Sequence, residues 1–139
     1  MFEIYKYKEF IIERCNNKTN NFYNTIGMYL SNRKVVKELG MPVWDDNEKE
    51  WLIVFDGLEC IGFTSFVEKS EKAYLKSSWV HPNYRGNGIF DYLFSIRLSI
   101  LKGKVVEGTA TEKSKNTYLR YGFELIRMRG KYYVFRKDN

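Results

Sequence analysis

Trp79-Val80-His81-Pro82-Asn83-Tyr84-Arg85-Gly86-Asn87-Gly88-Ile89-Phe90 carries a strand to a proline stop, through a glycine-containing turn and directly into an amphipathic helix. The first amides of a helix have no partner within it, and the aligned peptide dipoles favour negative charge there. Gly86 and Gly88 let the chain approach an anion closely and adopt conformations closed to other residues. Arg85 adds a fixed charge and a forked donor suited to phosphate. Together these features describe a phosphate-binding loop. The stretch lacks the Gly-Lys-Ser/Thr ending of a P-loop, and with only Gly86 and Gly88 it is not GxGxxG. A bare Gly-Asn-Gly turn with no ligand reads the same way on these residues alone.

Outward from the loop, both flanks read as regular structure. Ala73 to Val80 predicts the strand that Pro82 stops, and Ile89, Leu93, Ile96 and Ile100 mark one face of a helix ended by Gly103. Upstream, Trp51 to Phe55 and Cys60 to Val67 flank Asp56-Gly57, which predicts a hairpin. Phe2 to Cys15 alternates loosely and opens with a strand at Phe2 to Tyr7; Asn16 to Asn21 is a polar break. Phe22, Ile26, Tyr29, Leu30, Val36 and Leu39 recur at helical spacing before Gly40 and Pro42, and Asp45 to Glu50 forms an acidic loop. Downstream, Lys104 to Thr109 predicts a strand and Ser114 to Tyr121 a brief helix closed by Gly122. Phe123 to Met128 and Tyr132 to Arg136 predict two final strands. The expected order is strand, helix, three strands, helix, strand, helix, two strands, in one mixed α/β (α+β) domain over residues 1–139.

Composition bounds the function. With 44% hydrophobic and 17% aromatic residues the chain can bury a normal core. No run approaches the roughly 20 apolar residues of a membrane span. Met1 to Phe10 alternates charge with aromatics and lacks a signal peptide's apolar block, so a cytoplasmic location is expected. Cys15 and Cys60 are far apart, with no CxxC and no nearby His, so no metal site is expected, and Cys60 reads as a small core residue. The net charge of +6 favours anionic partners, although Lys and Arg are spread along the chain and identify none.

Val80-His81-Pro82-x-Tyr84-Arg85-Gly86-x-Gly88-Ile89 resembles the signature Q/R-x-x-G-x-G/A of the GNAT superfamily of N-acetyltransferases, with Phe90 in place of the usual closing glycine or alanine. Tyr118-Leu119-Arg120-Tyr121-Gly122-Phe123 is similar to that family's later Y-x-x-x-G-F pattern, while Thr111 and Ser114 match only in part. The resemblance spans nearly the whole chain. It implies an acyl-CoA N-acyltransferase fold: a central, mostly antiparallel sheet with splayed fourth and fifth strands, here Ala73 to Val80 and Lys104 to Thr109, and flanking helices. It implies acetyl-CoA as co-substrate, no metal, and an amine acceptor. Cofactor contacts would come from Trp79, Val80, Arg85, Gly86, Asn87, Gly88, Ile89 and Phe90, with a main-chain amide near Trp79 or Val80 polarising the thioester carbonyl.

By the same resemblance Tyr118 is the candidate general acid, since a phenol keeps its proton at neutral pH and can give it to a thiolate. The strand from Ala73 to Val80 holds no carboxylate, which leaves Glu107 as the candidate base, with Glu68 and Asp91 behind it and a water chain as the alternative. His81, the only histidine, reads as shaping the loop. The acceptor pocket is expected from Phe22 to Asp46, where Phe22, Tyr23, Tyr29 and Trp44 suggest an aromatic lining. Two other readings stand beside acetyl transfer: modification of nucleic-acid bases, allowed by the charge but without a recognition motif, and a non-catalytic acyl-CoA-binding module. The assembly is expected to be a monomer or homodimer, away from membranes.

Overall fold

The computed structural model describes residues 3–19, 27, 34, 35, 37 and 48–139. The predicted helix from Phe22 to Leu39 and the acceptor segment from Phe22 to Asp46 lie outside the described residues, except that Gly27, Lys34, Val35 and Lys37 are helical. The described strands are β1 (Ile4–Tyr7), β2 (Phe10–Cys15), β3 (Lys49–Asp56), β4 (Glu59–Glu68), β5 (Lys72–Val80), β6 (Val105–Ala110), β7 (Glu124–Arg129) and β8 (Tyr132–Asp138). Among the described residues the full helices are α1 (Ile89–Ile100) and α2 (Lys115–Arg120), with a 3-10 turn at Pro82–Tyr84. No helix among them is long and apolar enough to cross a membrane.

The chain separates into two compact units, Met1–Ser65 with Ser77–Leu93, and Phe66–Lys76 with Phe94–Asn139. In the first, the ladder runs β1-β2-β3-β4-β5. One expectation changes here: the amino terminus is a hairpin of two strands, not one. It turns at Lys8-Glu9, with Lys8 at φ 54, a left-handed position without the Gly, Asn or Asp that would announce it. β1 and β2 pair antiparallel from Ile4↔Glu13 to Tyr7↔Phe10. β2 then pairs with β3, Ile12 opposite Val54 and Cys15 opposite Trp51. The apolar, β-branched run of β3 is buried continuously from Trp51 to Val54, as a strand covered on both faces should be. Trp51, Ile53, Phe63 and Trp79 pack with Cys15 and Cys60 in one core cluster, so Cys60 is a core residue as expected. Each such side chain contributes about 1.5–3 kcal/mol on burial. The Asp56-Gly57 turn joins β3 to β4 with Gly57 at φ 61.

In the second unit the ladder runs β5-β6-β8-β7. β5 and β6 are parallel, and their register covers Lys72↔Val105, Ala73↔Val106 and Tyr74↔Glu107. It stops there although β6 continues to Ala110 along β8, in an antiparallel register that keeps Ala110 opposite Tyr133. The core of this unit is aromatic: Phe94, Tyr118, Phe123 and Phe135 are all buried.

Candidate cofactor loop and candidate acid

The loop is built from the first unit. β5 ends at Val80, and the His81 amide donates to Ile61 O of β4 at 2.7 Å. His81 Nδ1 accepts from the Asn83 amide at 3.1 Å, so the ring caps the 3-10 turn. This is the loop-shaping role expected of it. Tyr84 anchors the turn: its hydroxyl donates to Asp56 Oδ2 at 2.7 Å and its ring meets Phe10 edge-on. That hydrogen bond, with burial behind it, pushes the Tyr84 phenol up to about 12.

Gly86 and Gly88 both stand at φ 82, where a side chain is strained, and the first helical hydrogen bond of α1 runs from Tyr92 N to Gly88 O at 3.0 Å. α1 thus starts directly on Gly88, with its amino-terminal end at the loop. Gly86, Asn87 and Gly88 are exposed, Ile89 is buried and Phe90 is half-buried. Arg85 has a role the spacing did not suggest. Its Nε donates back to Val80 O at 2.8 Å and closes the base of the loop.

Two residues outside the predicted set hold the loop in place. The Tyr7 hydroxyl and the Lys8 amino group both donate to Asn87 O, at 2.8 and 3.0 Å. In a trans peptide the following N–H points opposite to the carbonyl, so the hairpin tip aims the Gly88 amide away from itself. Tyr7 also stacks on Tyr92 of α1 with ring centroids 4.5 Å apart. The signal for both residues lay in the missed left-handed turn at Lys8.

The strand end narrows the choice between Trp79 and Val80. The Trp79 carbonyl lies so close to β4 that a Cβ on Gly62 would be 2.8 Å from it. Polar groups of successive strand residues turn to opposite sides. With Trp79 and His81 turned to β4, the Val80 amide and carbonyl face away from β4, where Arg85 takes the carbonyl. Val80 is thus the residue whose amide faces outward.

In the second unit, Tyr118 of α2 is 5% exposed and stacks on Phe135 at 5.1 Å and 12°, with Phe94 and Phe123 edge-on. Its ring and hydroxyl fill the place a Cβ on Gly108 of β6 would need. Burial pushes the phenol up, and the charge of Arg97 pulls the other way. Arg97 is itself buried, with its guanidinium 5.3 Å from the Phe94 ring and Nη1 donating to Lys76 O at 3.4 Å. Desolvation lowers it to about 10, which leaves it charged at neutral pH. Glu107 meets Arg136 at 3.3 Å through one carboxylate oxygen and Arg127 at 3.9 Å through the other.

Comparison with known proteins places this geometry. The model of the Acetyltransferase (GNAT) family matches residues 19–123. No curated protein matches. Among solved structures, Escherichia coli ElaA superposes with TM-score 0.74 at 15% identity, over 91% of this chain and 98% of its own. An acetyltransferase from Thermus thermophilus gives 0.70 at 13%, over 92% and 97%. A GNAT family acetyltransferase from Elizabethkingia anophelis, with acetyl-CoA bound, gives 0.63 at 12%, over 96% and 100%. With the family pattern covering most of the sequence and the fold shared at this level, the chain belongs to the GNAT acetyltransferase family.

Proposed function

We propose that the protein transfers the acetyl group of acetyl-CoA to a primary amine of a small molecule or a protein. The observation that carries this reading is the loop from Arg85 to Phe90. It has glycines at φ 82 on either side of Asn87, a helix start immediately after, and an Asn87 carbonyl tied back by Tyr7 and Lys8. Such a loop presents main-chain amides and the positive end of a helix to a pyrophosphate.

In the reaction, the neutral amine nitrogen attacks the thioester carbonyl carbon. The C–N bond forms, the C–S bond breaks, and the sulfur leaves with the bonding pair. The Val80 amide supports the carbonyl oxygen as charge develops on it. Tyr118, kept protonated by its buried setting, gives a proton to the leaving thiolate and recovers one from solvent. The amine's own proton passes to water. Glu107 is assigned no step, since both its oxygens already face guanidinium groups.

Thermal unfolding with and without acetyl-CoA tests the donor. Binding to the folded state alone adds about 2.7 kcal/mol at one hundred times Kd. A shift in the wild type that Gly88→Trp abolishes is expected, followed by free thiol release when amines are supplied. No shift at millimolar acetyl-CoA sinks the proposal, and salt-sensitive DNA affinity in its place would support base modification.

A further inference from the structure

β7 is unlike the other strands of its unit. It ends the strand order, paired only with β8 among the described residues, and all six of its residues are exposed. They include three large apolar side chains: Leu125 at 49%, Ile126 at 37% and Met128 at 48% exposure. The register sets Leu125 opposite Phe135 and Met128 opposite Tyr133, with Ile126 as the inserted residue of a bulge. An exposed edge strand offers its outer main-chain groups to another strand, and proteins usually guard it with bulges and charges.

Here the charges are arranged to match a second copy. Glu124 opens the strand, Arg129 closes it, and Leu125 and Met128 lie just inside them. Antiparallel pairing of all six residues with the same strand of another molecule brings Glu124 opposite Arg129 and Leu125 opposite Met128. Two-fold symmetry makes each contact twice. Ile126 then lies against the aliphatic stem of Arg127, whose charge already has Glu107 of its own chain. Parallel in-register pairing would set Glu on Glu and Arg on Arg, which is unfavourable. We propose that two copies of this chain associate through β7, edge to edge and antiparallel, extending the ladder from one molecule into the next.

Sedimentation of the full chain from roughly micromolar to hundreds of micromolar tests this. The mass is expected to double over that range. Arg129→Glu and Glu124→Arg should each raise the dimer dissociation constant about tenfold, because like charges then face each other twice. Mixing the two variants should restore association as a mixed dimer, since every charge again meets its opposite. Melting curves check that each variant is folded. As a reading on the unaltered protein, β7 amides should gain protection from hydrogen exchange as concentration rises. A chain that stays monomeric at hundreds of micromolar overturns the proposal. So does a dimer indifferent to both reversals, or one whose β7 amides exchange at the same rate at every concentration.

Discussion

The phenol of Tyr118 stands where a side chain on Gly108 would have to be. A Cβ there would lie 2.7 Å from Cε1 and 2.9 Å from Cζ of the ring, with the hydroxyl closer still. Gly108 sits mid-strand in β6, opposite Phe135, on which the same ring stacks. Glycine within a strand weakens it, so the position is held for what the glycine admits. Gly108→Ala forces the phenol out of its place. We expect overpacking to lower stability by about 1–3 kcal/mol, measured by denaturant unfolding. If Tyr118 is the acid, the turnover number should fall while acetyl-CoA affinity is kept. Unchanged turnover in Gly108→Ala would mean that the placement of this phenol has no bearing on the chemistry.

Tyr118→Phe tests the proton itself. The substitution keeps the ring stack on Phe135 and the edge contacts with Phe94 and Phe123. Stability should therefore change by less than about 1.5 kcal/mol. Turnover should fall by about 10²–10⁴, the usual contribution of a positioned acid. Burial holds the phenol above its ordinary value near 10, so it remains a donor across the neutral range. The wild-type rate should then show an alkaline limb that Tyr118→Phe lacks. An identical pH profile in both proteins would remove Tyr118 from the mechanism.

A second tyrosine governs stability at high pH. The Tyr84 phenol donates to Asp56 and is pushed up to about 12, by that hydrogen bond first and by burial second. Its folded value thus lies above the unfolded value near 10. The stabilisation is complete below about pH 10 and is lost as pH rises through 12, because the unfolded chain ionises first. Tyr5, raised to about 12 mainly by burial, adds a parallel loss. Urea unfolding between pH 8 and about 12 should show a decline that Tyr84→Phe makes shallower and Tyr84→Phe with Tyr5→Phe makes shallower still. A slope that neither substitution changes would show that these phenols keep ordinary values.

What the sequence could show follows from where its signals are local. The Asp56-Gly57 hairpin, the strand stopped by Pro82 and the helix of period-spaced Ile89, Leu93, Ile96 and Ile100 each carry their own punctuation, and all stand where expected. The turn at Lys8 carries none, because its left-handed residue is a lysine, and with it went the two donors to Asn87. Arg97 was missed although it lies four residues after Leu93 and four before Leu101, on the buried face. Its charge argued for solvent, and only the fold supplies the carbonyl and ring that receive it. Gly108 was unreadable for a different reason: the side chain it makes room for comes from another element.

The Tyr7 hydroxyl joins the hairpin tip to the loop alongside the Lys8 amino group, and its own share can be measured. A Cβ on Gly88 would lie 2.5 Å from the Tyr7 hydroxyl but 3.6 Å from its ring carbon, which is ordinary contact. Gly86 has the same φ of 82 and open space around it. Gly86→Ala therefore carries only the left-handed strain of about 1–2 kcal/mol. Gly88→Ala adds the collision with Tyr7 and should weaken acetyl-CoA binding more. Removing the hydroxyl in Tyr7→Phe loses the bond to Asn87, a net cost of about 0.5–1.5 kcal/mol. It also opens the space that Gly88→Ala needs. The double variant should thus bind acetyl-CoA better than the sum of the single effects, by a coupling of about 0.5–3 kcal/mol in a double-mutant cycle read by calorimetry. Strict additivity would show that the Tyr7 hydroxyl and the Gly88 position act on the loop independently.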